Sequence, residues 1–251
     1  PHALRSIFTD NGRPAHKCVT IPDIGLDAGT ELAAISDMAP KIARHRRPPV
    51  FWTTSGWRRP LPPAIDLPPR RAGSRRLVWF GLLVSPYGEA GRELLPPLVP
   101  VLNKISGNLP FDLLLVTRNE AVCADIMKDA RFDWHFVTWS LAAQWQALSD
   151  ADLCVLPMGS DNFCMPKSPN RALLALASGL PVVTGPHPAY AEMEENLIIA
   201  SRPEEWYRKL SAAIAEPQGA RAPDDGRVRL EKRFGGRAIA RLWASTLGLA
   251  E

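Results

Sequence analysis

From Arg76 onward, short apolar runs alternate with stretches in which apolar residues recur every three or four positions. The short runs predict strands and the periodic stretches predict helices. The predicted strands are 76–83, 111–119, 132–139, 152–158, 180–185 and 197–200. The predicted helices are 89–106, 120–130, 141–151, 168–179, 203–215 and 224–249. Prolines in the first helix predict a late start or a kink, and Gly235 and Gly236 predict an interruption in the last.

The predicted strands are apolar without polar alternation, which indicates burial on both faces. Strands of this kind that alternate with helices are typical of an α/β fold with a doubly wound, Rossmann-like parallel sheet. In such sheets, ligands bind outside the carboxyl ends of the strands. We therefore expect functional residues in the loops that follow residues 83, 118, 139, 158 and 185.

Residues 1–75 differ from the rest of the chain in composition. They contain little helical periodicity, two short segments that favour extended structure (17–23 and 48–54) and a stretch rich in Pro and Arg from Arg58 to Arg75. Such a stretch predicts a linker or a strap along the surface. We predict that 1–75 is the end of an N-terminal domain plus a linker, and that 76–251 is the Rossmann-like domain. Because the chain begins with Pro1, we expect a longer natural protein.

The composition of the chain limits the kinds of ligand and partner that we expect. The chain has 251 residues, a formal net charge of +4 and a pI near 9.1, which favours anionic ligands or a membrane surface. No run of Lys and Arg alternates with aromatic residues, so we expect no nucleic acid. The four cysteines form no CxxC pair and no zinc-like spacing, so we predict no metal site, no disulfide framework and a reducing compartment. We also expect no cofactor and a cytoplasmic location. No apolar stretch reaches the length of a membrane helix.

The stretch "KSPNRALLALASGLPVV" (167–183) carries the most specific chemistry. It predicts a helix with Ser168 as N-cap and Pro169 in its first turn, ended by Gly179. Lys167 and Arg171 then add positive charge to the positive end of the helix dipole, which is unfavourable unless an anion binds there. A diphosphate fits, and Ser168 and Asn170 are expected to add hydrogen bonds to hydroxyl groups or to the ribose. The alternative is that both cations point into water beside acidic neighbours.

Three further residues are candidates, each with a simpler alternative. Gly81 opens a glycine-containing loop whose N–H groups are suited to phosphate, or which is an ordinary turn between a strand and a helix. Arg118 follows a buried strand and either reaches into the cleft or lies in solvent. His187 lies between two prolines and is either a hydrogen-bond donor to the ligand or a structural residue.

The order of these segments resembles the C-terminal, donor-binding domain of GT-B-fold glycosyltransferases of the group 1 type. The resemblance covers 76–247 and the segment "SIFTDNGRPAHKCVTIPDIGLD" (6–27). It rests on "RLVWFG" (76–81), "WSLAAQWQALSDADLCVLPM" (139–158), "LLALASGLPVVTG" (173–185) and "ENLIIASRPEEWYRKLSAAIAEP" (195–217).

The resemblance implies metal-independent transfer of a sugar from a nucleoside-diphosphate sugar to a glycan or lipid-linked acceptor, in polysaccharide biosynthesis. Lys167 and Arg171 are then expected to hold the diphosphate with help from Arg118, and Trp139 and Ser140 to lie near the base. It also implies a site on the cytoplasmic side, with contact to the inner face of a membrane as a further expectation. The acceptor side and the catalytic residues remain unknown.

The sequence departs from the family at two positions. Many members carry glutamates where this chain has Pro166 and Leu174, and the stretch is closer to a variant that opens the helix with Lys, Ser and Asn. This departure and the Pro/Arg-rich segment favour the alternative of a non-catalytic nucleotide-binding or scaffold module on the same fold. Another type of nucleotide-binding protein is disfavoured, because neither a dinucleotide fingerprint nor a Walker motif is present.

Overall fold

A computed structural model describes residues 65–216 and, near the C-terminus, residues 229–230, 232–235, 238–239 and 242. The predictions for 6–27, 17–23 and 48–54, and most of the predicted helix 224–249, lie outside these residues. The boundary between 1–75 and 76–251 stays a prediction. No described helix has both the length and the apolar character needed to cross a bilayer.

Within the described residues, the six predicted strands form one parallel sheet in the order β3-β2-β1-β4-β5-β6. The strands are β1 (Arg75–Phe80), β2 (Phe111–Thr117), β3 (Asp133–Thr138), β4 (Leu153–Leu156), β5 (Val182–Thr184) and β6 (Ile198–Ile199). The helices are α1 (Gly91–Leu94), α2 (Val99–Ser106), α3 (Glu120–Ile126), α4 (Leu141–Asp150), α5 (Asn170–Ala177) and α6 (Pro203–Ala215). The predicted doubly wound fold is thereby confirmed.

Strand β1 is the centre of the core. It pairs with β2 over its whole length, from Arg75 opposite Phe111 to Phe80 opposite Val116, and with β4 through Leu77 and Val78. All residues of β1, β2 and β4 are buried, which explains why their sequences lack polar alternation.

Prolines and one glycine set the ends of the helices. The predicted helix 89–106 begins late, at Gly91, and a 3₁₀ turn at Pro96–Leu98 divides it, as its prolines predict. Gly179 takes a φ of +76° after α5, and the N–H groups of Gly179 and Leu180 donate to Leu176 and Ala175. This pattern is the Schellman motif, so the predicted end of this helix is confirmed.

The amino edge of the sheet contains a buried network of charges around Arg76. The Arg76 guanidinium is about 1% exposed and donates to both carboxylate oxygens of Asp112, to Asp150 and to the carbonyl of Pro68. Burial acts to lower the pKa of Arg76, but the hydrogen bonds with Asp112 and Asp150 outweigh it and raise the pKa above its ordinary value. Arg70 adds a 2.7 Å contact with Asp152. The segment that precedes β1 is thereby held on the domain.

Candidate functional site

The strand order reverses between β1 and β4, and the crevice outside their carboxyl ends is the place where this fold binds ligands. Two loops meet there: loop A (81–90), which follows β1, and loop B (157–169), which follows β4 and leads into α5. The main predicted cations, Lys167 and Arg171, belong to loop B and to the first turn of α5. Both cations therefore lie at the carboxyl edge of the sheet, where a fold of this topology binds ligands.

Hydrogen bonds join loops A and B directly. One carboxylate oxygen of Asp161 accepts the N–H of Glu89 at 2.5 Å, and the other accepts the N–H of Cys164 at 2.6 Å. In return, the Glu89 carboxylate accepts the N–H of Ser160 at 3.1 Å. These bonds fix the main chain of loop B on that of loop A, since each carboxylate binds a backbone group of the other loop.

Two glycines make this close contact feasible. A Cβ at Gly88 would lie 2.2 Å from Oδ2 of Asp161, and a Cβ at Gly159 would lie 2.3 Å from Oε2 of Glu89. A Cβ at Gly88 would also lie 2.5 Å from Cβ of Phe163, so a side chain there forces loop B to move, and one at Gly159 forces the Glu89 carboxylate to shift. Each loop thus has a glycine where the carboxylate of the other loop packs against its backbone.

Arg171 extends from the start of α5 to the carboxyl end of β1. Its Nη1 donates to the carbonyl of Phe80 at 3.4 Å, and its Nη2 lies 3.5 Å from the sulfur of Met158. A Cβ at Gly81 would lie 2.9 Å from Nη1, and Gly81 has a φ of +155°, which disfavours other residues. The N–H of Gly81 donates to Val116 within the sheet. Gly81 thus provides space for Arg171 in the turn that follows β1, and the supply of N–H groups to phosphate by its loop stays a prediction.

Lys167 lies beside the contact between the loops. Its Nζ is 3.3 Å from Sγ of Cys164 and 4.0 Å from the centre of the Phe163 ring, whose other neighbour is Tyr87 of loop A at 5.9 Å between ring centres. These contacts hold the ammonium group of Lys167 in one position, because a cation is attracted to the face of an aromatic ring. Lys167 and Arg171 are both half-buried, and neither forms an ion pair within the described residues.

The predicted N-cap of α5 is wrong. The helix begins at Asn170, and Pro169 is the capping residue, with its carbonyl accepting the N–H of Leu173 at 3.0 Å. No side chain caps this end. Ser168 therefore lies one residue before the cap, and its hydroxyl does not bond the first turn. Asn170 is the first residue of the helix.

His187 is buried and acts within the protein. Its Nδ1 accepts the N–H of Ala189 at 3.2 Å, so Nε2 carries the proton and donates to the carbonyl of Cys164 at 2.9 Å. Burial lowers its pKa below the ordinary value and keeps the ring neutral. Both ring nitrogens are thereby used, which favours the structural alternative: His187 connects the loop after β5 to loop B.

Arg118 and Trp139 form a second cluster, at the carboxyl ends of β2 and β3. The Arg118 guanidinium lies 4.7 Å from the centre of the Trp139 ring, and the ring N–H donates to Gln144 at 2.9 Å. Ser140 caps α4 by accepting the N–H of Ala143. Arg118 is exposed, with its position set by the tryptophan ring. This cluster lies on the same edge of the sheet as Lys167 and Arg171.

Two carboxylates and a thiol, from Glu89, Asp161 and Cys164, lie together between loops A and B. Hydrogen bonds from the backbone, the one from Glu89 above all, lower the pKa of Asp161, while burial raises the pKa of the Cys164 thiol. Ligand atoms of Glu89, Asp161 and Cys164 lie within 4.8 Å of one another, a spacing that a metal ion can bridge. The ammonium of Lys167 against Cys164 disfavours a cation at this position.

Sequence reasoning missed Glu89, Asp161 and Cys164. Their signal is weak but present, because each follows a glycine or lies in a polar loop directly after a buried strand, in "YGEAG" and "GSDNFC". The bonds that connect Glu89 with Asp161 and Cys164 join residues 72 and 75 positions apart, and no local pattern in the sequence indicates such a pairing.

The order of the strands defines a Rossmann-like domain of the kind found in GT-B glycosyltransferases, which confirms the resemblance at the level of the fold. HepE from Anabaena, solved in complex with UDP and glucose, is 15% identical with a TM-score of 0.61, over 99% of this chain and 62% of that chain.

Two further solved structures have a TM-score of 0.50. A mutant form of S. aureus TarM, in complex with fondaparinux, alpha-GlcNAc-glycerol and UDP, is 12% identical over 73% of this chain and 37% of that chain. The UDP-forming alpha,alpha-trehalose-phosphate synthase from Burkholderia vietnamiensis is 10% identical over 71% and 46%. The chain thus spans less than two thirds of the length of these proteins. No protein-family model matches it, and neither does any curated protein.

Proposed function

We propose that this chain is the donor-binding half of a glycosyltransferase that transfers a sugar from a nucleoside-diphosphate sugar to an acceptor. One observation carries the proposal: Arg171 is held at the switch point of the sheet, 3.4 Å from the end of β1, with Lys167 on the same loop edge. Two cations that form no ion pair within the described residues, at the N-terminus of an eight-residue helix, favour a doubly charged ligand.

These residues have defined parts in the reaction. Lys167 and Arg171 bind the diphosphate and neutralise the charge that grows on it as the bond to the sugar breaks, and the first N–H groups of α5 add to this field. Since two side-chain cations and a helix dipole supply this charge, we propose that no metal ion is required. The base lies toward Trp139, with Arg118 between the base and the diphosphate.

The acceptor is proposed to have an apolar part. The exposed large hydrophobic residues among the described ones all lie at the carboxyl edge of the sheet: Leu82, Val84 and Tyr87 on loop A, and Leu141 at the first position of α4. Apolar and aromatic side chains beside cations suit a lipid-linked acceptor at an anionic membrane surface on the cytoplasmic side. Sedimentation with vesicles that contain phosphatidylglycerol tests this, since a Leu82→Ser, Val84→Ser, Tyr87→Ser variant is expected to lose binding. Equal sedimentation of both proteins would contradict it.

The donor site is tested by thermal unfolding in the presence of UDP, GDP, ADP, TDP or CMP. A ligand at 100 times its Kd stabilises a protein by about 2.7 kcal/mol, which is readily measured. We expect one nucleotide to raise the Tm, and the double variant Lys167→Ala, Arg171→Ala to lose the effect. The matched control is Lys128→Ala, Arg202→Ala, which removes two exposed cations elsewhere. Equal stabilisation of both variants would refute the site.

A non-catalytic nucleotide-binding or scaffold module is the second candidate, favoured by Pro166 and Leu174 at positions where many related enzymes carry glutamates. Both candidates predict that a nucleotide binds. They differ in turnover: a protein that includes the remainder of the cleft is expected to release nucleoside diphosphate from a nucleotide sugar only if the first candidate is correct.

A further inference from the structure

Glu89 is the carboxylate of loop A that reaches into the region between the two loops. Its N–H donates to Asp161, its carbonyl accepts from the thiol of Cys164 at 3.3 Å, and its Oε2 accepts the N–H of Ser160 at 3.1 Å. Three separate hydrogen bonds to loop B therefore fix the position of Glu89. A side chain held in this way loses little further freedom when it binds a ligand.

Only one of the two carboxylate oxygens is used in these contacts. Oε2 packs on the backbone of Gly159, where a Cβ would lie 2.3 Å away. Within the described part of the chain, no hydrogen bond reaches Oε1, and the side chain is half-buried. Glu89 therefore presents a fixed acceptor oxygen at the carboxyl edge of the sheet.

The Glu89 carboxylate lies near the proposed diphosphate site, because one of its oxygens is within 4.8 Å of Sγ of Cys164, which Lys167 contacts. The sulfur of Cys164 is 3.3 Å from the carbonyl oxygen of Glu89 and 3.3 Å from Nζ of Lys167, so Glu89 and Lys167 flank the same thiol. A ligand whose diphosphate binds Lys167 and Arg171 carries its next group, the sugar, within the neighbourhood of Glu89. A carboxylate repels phosphate but accepts strong hydrogen bonds from hydroxyl groups.

We infer that Glu89 binds hydroxyl groups of the sugar on the donor, and so selects the nucleotide sugar over the free nucleoside diphosphate. The inference rests on the proposed function, and it names a residue that contacts the transferred group. Pro166 and Leu174 offer no such acceptor in loop B or α5. The acceptor comes from loop A instead, and the contacts with Ser160 and Gly159 place it.

The test compares the affinities of each protein for matched pairs of ligands by titration calorimetry: UDP with UDP-glucose, GDP with GDP-mannose, and ADP with ADP-glucose. The wild type is expected to bind one nucleotide sugar more tightly than its nucleoside diphosphate. Glu89→Gln is expected to keep the affinity for the nucleoside diphosphate and to lose about tenfold or more of the affinity for the sugar conjugate, the scale of a hydrogen bond to a charged group.

Glu93→Gln is the matched control, because Glu93 lies four residues away and its carboxylate accepts the N–H of Ala90 within its own segment. It is expected to bind both ligands like the wild type. Glu89→Asp keeps the charge but shortens the side chain, so it is expected to lose affinity for the sugar conjugate alone. This variant replaces Glu89→Gln in the test if Glu89→Gln melts at a lower temperature than the wild type.

The outcomes separate this inference from the proposed function. If Glu89→Gln and Glu89→Asp weaken both ligands of a pair equally, Glu89 only shapes the loops and the inference is overturned. An unchanged preference for the sugar conjugate overturns it as well, while the donor site stands. A wild-type protein that binds none of the six ligands overturns the proposed function and this inference together.

Discussion

Replacing Asp112 by asparagine tests whether the buried charge network at the amino edge stabilises the fold. Asp112 is about 4% exposed and accepts three hydrogen bonds from Arg76, which is about 1% exposed. Asparagine keeps the shape, removes the charge and points an amide group at the guanidinium. Asp150 remains as a partner of Arg76, 2.6 Å away.

The expected loss is large for a single substitution. Removing one partner of a buried ion pair costs about 3–5 kcal/mol, because the other charge stays buried. We expect the lower part of this range, since Asp150 still pairs with Arg76. For a domain of this size, about 3 kcal/mol lowers the Tm by roughly 6–12 °C.

The assay is urea unfolding followed by tryptophan fluorescence, with Trp79 and Trp145 as buried reporters. Asp125→Asn is the control, because the pair of Asp125 and Lys128 is exposed and is expected to contribute less than about 1 kcal/mol. Nucleotide affinity of the folded Asp112→Asn protein is expected to be unchanged, since the network lies at the opposite edge. A loss no greater than that of the control would refute the reasoning.

Two further predictions concern the site. Gly81→Ala is expected to cost about 1–3 kcal/mol of stability through its backbone conformation and also to weaken nucleotide binding, because the new Cβ contacts Arg171. Gly73→Ala shares a positive φ but has nothing within 4 Å, so titration calorimetry is expected to show unchanged affinity there; equal affinities for both variants would contradict the role of Gly81. For His187, the unfolded state binds the proton more readily than the folded state, so stability falls as pH drops below about 6.5. In urea titrations, the difference in free energy of unfolding between the wild type and His187→Gln is accordingly expected to shrink from about pH 7.5 to about pH 5. A difference that grows on acidification would show that the ring is not kept neutral.

The sequence predicts the strands well, because burial on both faces leaves a direct mark in apolar runs such as "RLVWF" and "LLLV". The ends of the strands are predicted less well. Strand β1 stops at Phe80, where Gly81 turns the chain toward Arg171, although the apolar pattern continues through Leu83. The start of α5 was misplaced because Pro169 takes the capping position itself.

The sequence predicts the positive charges of the candidate site but not the contacts between its loops. Lys167 and Arg171 are recognisable because positive residues at a helix N-terminus are unfavourable without an anion. Glu89 and Asp161 became candidates only when the fold brought loop A and loop B together, since each binds the backbone of a residue far along the chain. The structural role of His187 likewise depends on the carbonyl of Cys164, a partner that no local pattern indicates.

The absence of space at Gly88 and Gly159 has a consequence for how such proteins diversify. Because a carboxylate of each loop occupies the place of a Cβ in the other, a replacement loop without the glycine displaces the carboxylate of the loop that remains. Recombination that inherits loop A from one parent and loop B from another is expected to yield poorly folded chimeras. Transplanting both loops together with the first turn of α5, which contains Arg171, transfers the proposed diphosphate site, so for protein engineers these segments form one interchangeable module.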